Sequence, residues 1–523
     1  FNRFFHSAAE NYAKDVVAVL GRKGWALGVY GALIGVTVLL FQIIPTGYIP
    51  MQDKQYLLGI AQLPEGATLD RTESVIRRMS DIGMAEEGVE SSVAFPGLSV
   101  HGFSNSSNAG IVFFTLKPFK ERQRPDLTGE AIAGKINMKM GAIQDAFLFV
   151  LQPPPVMGLG NSGGFKLEIE DRGDLGYDAL SKVTEQVKMK AYQTPVLAQV
   201  YSGFQVNVPQ LRADVDRTKA KQLGVSITDV FNTMQIYLGS LYINDFNKFG
   251  RTFQVIAQAE APFRAHAADI LSLKTRNATG QMVPLGSMLD IHESFGPERA
   301  AHYNAYRSAD INASAAFGVP QEVAEAAMVK ILDETLPKGM SYEWTELKYQ
   351  QILAGNTAIF VFPLCILLAF MVLAALYESL SLPLAVILIV PMCLLCAMTG
   401  VWLDRSDNNI FTQVGLIVLV GLACKNAILI VEFARELELQ GRGIVDAAIE
   451  ACRLRLRPIL MTSFAFIMGV VPLMISSGAG AEMRHAMGVA VFSGMLGVTF
   501  FGLFLTPVFY VVIRKLATGG GKP

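Results

Sequence analysis

Six stretches of this sequence are long and apolar enough to cross a bilayer, and they are unevenly spaced. Residues 24–44 stand alone, while 357–376, 384–403, 411–433, 459–476 and 486–513 crowd together after a long gap. A hydrocarbon core about 30 Å thick takes about 20 residues at a rise of about 1.5 Å each. Six such stretches therefore predict an α-helical transmembrane bundle of six spans with one large water-exposed loop. Composition agrees: 51% apolar residues exceed the ordinary soluble range, yet 17% charged residues are too many for a chain held wholly in lipid. A formal net charge of −1 offers no field for nucleic acid.

The short connections fix orientation. Arginine and lysine number four before the first span (Arg3, Lys14, Arg22, Lys23) and five between the fourth and fifth (Arg435, Arg442, Arg453, Arg455, Arg457). Three more follow the sixth (Arg514, Lys515, Lys522), and the opposite side carries only Arg405 and Arg484. Twelve against two predicts cytoplasmic termini and an external region over 46–356. Residues 1–20 place apolar groups at 1, 4, 5, 8, 9, 12, 13, 16, 17 and 20, the stripe of a helix lying along the cytoplasmic membrane surface. None of the five cysteines falls between 46 and 356, so the external region needs no disulfide; Cys393-x-x-Cys396 sits in an apolar run and reads as small buried residues. The chain opens Phe1-Asn2-Arg3, with neither an initiator methionine nor a signal-peptide pattern, and reads as the later part of a longer polypeptide.

The large loop repeats itself. "QYLLGIAQL" reads as a strand, 71–86 as a helix, "VESSVAF" and "AGIVFFTL" as strands, 127–143 as a helix and "AFLFVLQ" as a strand. This is the βαββαβ order of a split βαβ unit. The order recurs as "FKLEIE", helix 176–192 and "LAQVYSG", then "ADINASAAFG", helix 320–336 and "SYEWTEL", with 206–302 inserted between the halves.

The fourth span holds the chemistry. In "GLACKNAILIVEFA" Lys425 lies about three residues past the middle of the span, ~4.5 Å along the axis. Facing lipid there would cost about 2.5–3.5 kcal/mol, and the depth argues against snorkelling to the headgroups, so the ammonium needs protein or water and a counter-charge. Glu432, the only acid well inside a span, is seven residues away on the side from which the lysine leans. The inference is that the carboxylate belongs to segments outside this sequence, and that its protonation would release the ammonium and let helices repack. Asn426 is grouped with Lys425. In "RLRLRPILMTSF" Arg455 and Thr462 are two turns apart on one face and could line a hydrated proton path, if Pro458 leaves the helix continuous. The alternatives are a positive-inside anchor for Arg455 and a hydroxyl bonded back to its own helix for Thr462.

At these residues the chain resembles the resistance–nodulation–division superfamily, specifically the AcrB/MexB-type pumps of hydrophobic and amphiphilic drugs, near the MexF/OqxB branch. "KNAILIVEFA", "RLRPILMTS", "LAALYESLSLPLAVILIVP", "GQMVPL" and "SGAGAEM" carry the likeness, which corresponds to spans seven to twelve, the C-terminal half of a family member. The resemblance implies a homotrimer in the bacterial inner membrane that exchanges protons, its only coupling ion and no cofactor, for drugs. It also implies a periplasmic adaptor protein, an outer-membrane channel and an N-terminal half that supplies paired aspartates to a relay containing Lys425, Asn426, Arg455 and Thr462. It assigns 1–23 to the surface helix and 24–44 to the first span. Porter subdomains take 45–160, 161–205 and 303–356, ferredoxin-like in topology; 206–302 becomes the docking subdomain, 357–514 five spans and 515–523 a cytoplasmic tail.

In "VAFPGLSVHGFSNSSNAGIVFF" the resemblance places a flexible loop and the walls of a deep drug pocket. Phe95, Leu98, Val100, Phe103 and Phe113 offer apolar, stackable area there, with Phe149 and Ile60 nearer an entrance pocket. The loop is two residues longer than in the AcrB type and has fewer aromatics. No G-x-x-x-x-G-K-[ST] loop suggests ATP as a power source, and no residue constellation suggests an enzyme. The rival readings are a heavy-metal or lipid exporter of the same superfamily, and a membrane-anchored assembly module that transports nothing.

Overall fold

The computed structural model describes residues 2–160, 163–316, 318–355 and 357–518, the side chains of 2–6, 358 and 359 excepted. Phe1, the side chains of Arg3, Phe4 and Phe5, and residues 519–523 of the tail, Lys522 among them, lie outside that description. The chain divides into two compact units. One comprises Phe1–Asp174, Lys182–Gly203 and Ser308–Pro523; the other comprises Leu175–Ser181 and Phe204–Arg307.

Among the described residues six helices are long and apolar enough to span a membrane, making the first unit a multi-pass membrane protein. They occupy Lys23–Ile43, Phe360–Tyr377, Ser381–Leu403, Ile410–Leu439, Ile444–Met474 and Ala481–Ala517. The fourth, fifth and sixth helices continue well past the apolar stretches. The fifth begins at Ile444 rather than near 459, and passes through Pro458 and Pro472 without a break. Its extra turns place Arg453, Arg455 and Arg457 on helix rather than in a connection. The reason is amphipathic packing: Ala447, Ala448, Ala451, Cys452 and Leu456 form a buried stripe that holds these polar turns in register.

The third, fourth and sixth spans form the centre of the bundle, with 61%, 56% and 61% of their most apolar windows buried; the second is only 11% buried. Small residues allow the close approach. A Cβ on Gly488 would come within 2.7 Å of the Met474 backbone, and one on Gly494 would strike Leu419. Helix Asn2–Gly21 docks on this bundle through Tyr12, Val16 and Leu20, and the Tyr12 hydroxyl donates to Leu503 O at 2.6 Å. Val17, on the same predicted stripe, is half exposed.

The region between the first two spans contains two sheets of equivalent topology. The first comprises β1 (Tyr56–Gln62), β2 (Val89–Ser99), β3 (Ser104–Leu116) and β4 (Phe147–Leu151), paired in the order β2-β3-β1-β4. In the second, β5 (Phe165–Asp171), β6 (Leu197–Tyr201), β7 (Tyr306–Ala315) and β8 (Met340–Thr345) are paired β6-β7-β5-β8, and the two-residue strand His302–Tyr303 adds a fifth member against the start of β7. The period-two alternation of strands gives the first sheet two apolar faces. Leu57, Val112, Phe114 and Val150 pack under helices Leu69–Met84 and Gly129–Met140. Leu58, Ile60, Ile111, Phe113, Phe149 and Leu151 point to the other side.

Asp53 anchors the start of this sheet. Its carboxylate accepts both Arg122 nitrogens at 2.9 and 3.2 Å, and the N–H groups of Gln55 and Gly129. Burial works to raise the Asp53 carboxyl, but Arg122 and the two backbone donors outweigh it and hold it below its usual range. The second unit contains an antiparallel pair Val208–Val215 with Leu289–Gly296, the helix Ile227–Met234, and a long exposed hairpin Leu241–Lys248 with Arg251–Ala257.

Candidate functional site

Lys425 leaves the fourth span on its open face. Val414, Val418, Gly421, Lys425, Glu432 and Glu436 recur at helical spacing and are all exposed, while the opposite stripe of Leu416, Leu419, Ala423, Ala427 and Ile430 is buried. Among the described residues no ion pair joins Lys425 to Glu432 or to any other acid. The ammonium therefore sits mid-span on a face that this chain does not cover.

Asn426 points elsewhere. One residue on, and so about 100° around the helix, it is buried and donates to Ser463 Oγ at 3.0 Å. The sequence grouped it with Lys425; the structure makes it part of the packed seam between the fourth and fifth spans. The same seam carries Arg455, whose guanidinium carbon lies 4.4 Å from the centre of the Phe433 ring, with its buried Nε lacking a hydrogen-bond partner. The Asn426–Ser463 bond sets an antiparallel register in which Thr462 stands within about 3 Å of the level of Lys425. Arg455 lies ~12 Å further along, toward Phe433. Thr462 Oγ1 donates to Ile459 O at 3.1 Å, a bond within its own helix. Lys425 and Thr462 thus share a depth, while Arg455 does not reach it.

The pocket residues also separate by geometry. Ile60, Val100 and Phe149 are buried in one cluster with Leu58, Ile111, Leu151 and Tyr201, and Leu98 and Phe113 pack against it. Phe149 and Tyr201 rings are 4.5 Å apart. Ile60 and Phe149 thus pack in the same buried cluster as Val100. Phe95 and Phe103 are the exposed members, 42% and 56%. Phe95 stands edge-on to Phe113 at 5.9 Å.

The expected flexible loop is shorter than its sequence suggested. Strands β2 and β3 extend to Ser99 and Ser104, which pair directly, so only Val100, His101, Gly102 and Phe103 form the turn. Serines and asparagines here satisfy backbone and each other, as in Ser106 Oγ donating to Asn108 Oδ1 at 2.6 Å, and so sustain strand rather than loop. Gly102 and Phe103 both have positive φ, +67° and +49°, which closes the tight hairpin.

Sequence reasoning missed Ser463, Tyr201 and Phe433. Each is an unremarkable residue in an apolar segment, and only the pairing of elements reveals its role.

Residues 1–514 match the family model described as the AcrB/AcrD/AcrF family. The chain belongs to that family. It is 38% identical over 524 residues to the multidrug export protein AcrF of Escherichia coli K12, covering 99% of this chain and 50% of that protein. It is 38% identical over 519 residues to the multidrug/solvent efflux pump membrane transporter MepB of Pseudomonas putida, covering 99% and 49%. The multidrug resistance protein MdtF of Escherichia coli K12 is 36% identical over 521 residues, covering 99% and 50%. The chain spans about half the length of these curated relatives, which are transporters and not enzymes.

Proposed function

We propose that this chain is the C-terminal half of a proton-driven exporter of hydrophobic and amphiphilic compounds. The observation that carries the proposal is Lys425, a cation at mid-span on an uncovered helix face of a family member. An ammonium is tolerated there only beside a carboxylate or water. In this reading an N-terminal half supplies aspartates to that face, protonation discharges them, and the fourth span repacks. Lys425 and Thr462, at one depth, face the relay. Arg455 stands toward the cytoplasmic mouth, while Asn426 fixes the seam through Ser463. The coupling ion is the proton, with no cofactor.

The same reading places both termini in the cytoplasm of a bacterial inner membrane and the two sheets in the periplasm, in line with the arginine and lysine distribution. It also takes each sheet as a ferredoxin-like split βαβ unit, which the matching strand orders support. Residues 45–160, 161–205 and 303–356 serve as porter subdomains and 206–302 as the docking subdomain. The aromatic face around Phe95, Phe103 and Phe113 takes the substrate. The assembly is a homotrimer working with a periplasmic adaptor and an outer-membrane channel, the partners that family membership supports.

The test is Lys425→Ala in the full-length protein, expressed in an efflux-deficient host and assayed by accumulation of a fluorescent amphiphile. Retained assembly with accumulation equal to that of the empty host supports the proposal. Wild-type extrusion by the variant refutes it.

A further inference from the structure

We propose that His485 is a positioning residue whose doubly protonated ring joins the ends of the third, fifth and sixth spans, so that acidity sets how firmly this end of the bundle is closed. The inference goes beyond the export reading and rests on it only to place this end on the external side of the membrane.

His485 lies one turn into the sixth helix, and both of its ring nitrogens are engaged. Nδ1 stands 2.5 Å from Met474 O, and Nε2 stands 3.1 and 3.0 Å from Asp404 Oδ1 and Oδ2. Met474 closes the fifth helix. Beyond it Ile475 N bonds back to Val471 O and Ser476 N to Leu473 O, which leaves the Met474 carbonyl to the imidazole. Asp404 follows Leu403, the last residue of the third span, and its Oδ2 also accepts the Ser406 hydroxyl. Close packing brings the three ends together: a Cβ on Gly488 would meet the Met474 backbone, and one on Gly400 would strike Ser493 Oγ. The His485 and Asp404 side chains are 37% and 28% exposed, so protons from water reach the pair.

The two groups that face the ring are a carbonyl and a carboxylate, both acceptors. A neutral imidazole has one N–H and one lone pair, so it bonds one of them and turns its lone pair on the other. The imidazolium donates to both, and its bond to Asp404 gains charge assistance. Whichever bond the neutral ring keeps, the third and fifth ends are no longer joined through it. Ser476 Oγ, donating to Ala481 O, still holds the fifth end to the sixth, so it is the third end that acidity adds to a pair already joined.

The neighbouring charges are bonded elsewhere. Arg484 donates to Ala479 O and Ser477 O, Glu482 accepts the Asp53 N–H, and Asp407 accepts Asn409 Nδ2. Arg405 adjoins Asp404 in a left-handed turn, φ +58°. The last turn of the fifth helix and the first turn of the fourth contain no titratable side chain. Among the described residues Asp404 is therefore the charged group bonded to His485.

The experiment measures the distance between spin labels at Leu403 and Ile475, both 69% exposed, in the full-length protein in detergent. From pH of about 5 to about 8 the longer-distance population should grow about tenfold in the parent. His485→Ala should show that population at both pH values. Asp404→Asn should stay closed at both, because its amide nitrogen donates to the lone pair of the neutral ring and its oxygen accepts from the charged one. A parent whose distances ignore pH, a parent-like pH response in either variant, or an Asp404→Asn protein open at both pH values overturns the proposal. In detergent both ends of the bundle meet one pH, so the result judges the clamp whichever way the chain faces, while drug-driven proton flux judges the export reading.

Discussion

At the scale of single residues, direction matters as much as identity. Lys425 and Asn426 are adjacent in sequence, yet one meets the outside of the bundle and the other a buried serine. The need for a counter-charge near Lys425 was legible because the cost of a mid-membrane cation is large and the six spans could be searched for an acid. The partner of Asn426 was not legible, since hydroxyl residues recur in the fifth span and only helix register selects Ser463 over Thr462. Asn426→Ala should lower stability by about 1 kcal/mol through loss of that interhelical bond. It should leave coupling measurable, and a chemical-denaturation midpoint equal to the parent's would contradict the seam assignment. Thr462→Ala removes only a bond within its own helix as seen here. Any loss of coupling in that variant would therefore report contact with the relay rather than instability.

At the scale of elements, helices and strands followed the apolar periodicity, but their ends did not. The fifth helix gained turns below its apolar stretch because alanines pack there, and the β2–β3 hairpin consumed the loop drawn from the sequence. The causes differ: a buried apolar stripe extends the helix, whereas serines and asparagines whose groups find partners extend the strands. The aromatic face was readable as a set of phenylalanines, while exposure was not, because one-residue alternation sends Phe113 and Phe114 to opposite faces. The Asp53–Arg122 pair shows a similar gap, with 69 positions between two charges that meet in the fold. Arg122 is almost wholly enclosed, 1% exposed, so Arg122→Ala should cost about 3 kcal/mol or more by stranding the carboxylate. The pH dependence has a definite sign. A carboxyl held below its usual value stabilises the fold in full above pH of about 4, and loses that stabilisation as pH falls through its lower folded value. Asp53→Asn should flatten the acid limb of a thermal-stability profile, and an unchanged acid limb would rule the pair out as its source.

At the scale of the whole molecule, the chain is a bundle with a charged open face and two sheets of matching topology. It covers about half the length of relatives named as efflux pumps. The central claim is that Lys425 couples proton movement to export through carboxylates on a neighbouring half. Residues 1–523 expressed alone should therefore extrude nothing, and co-expression with the complementary half should restore activity. The most direct measurement is proton flux in vesicles reconstituted with the full-length protein and loaded with a pH-sensitive dye. Addition of a transported amphiphile should drive proton movement in the parent and none in Lys425→Ala. Equal drug-dependent flux from both proteins would contradict the account.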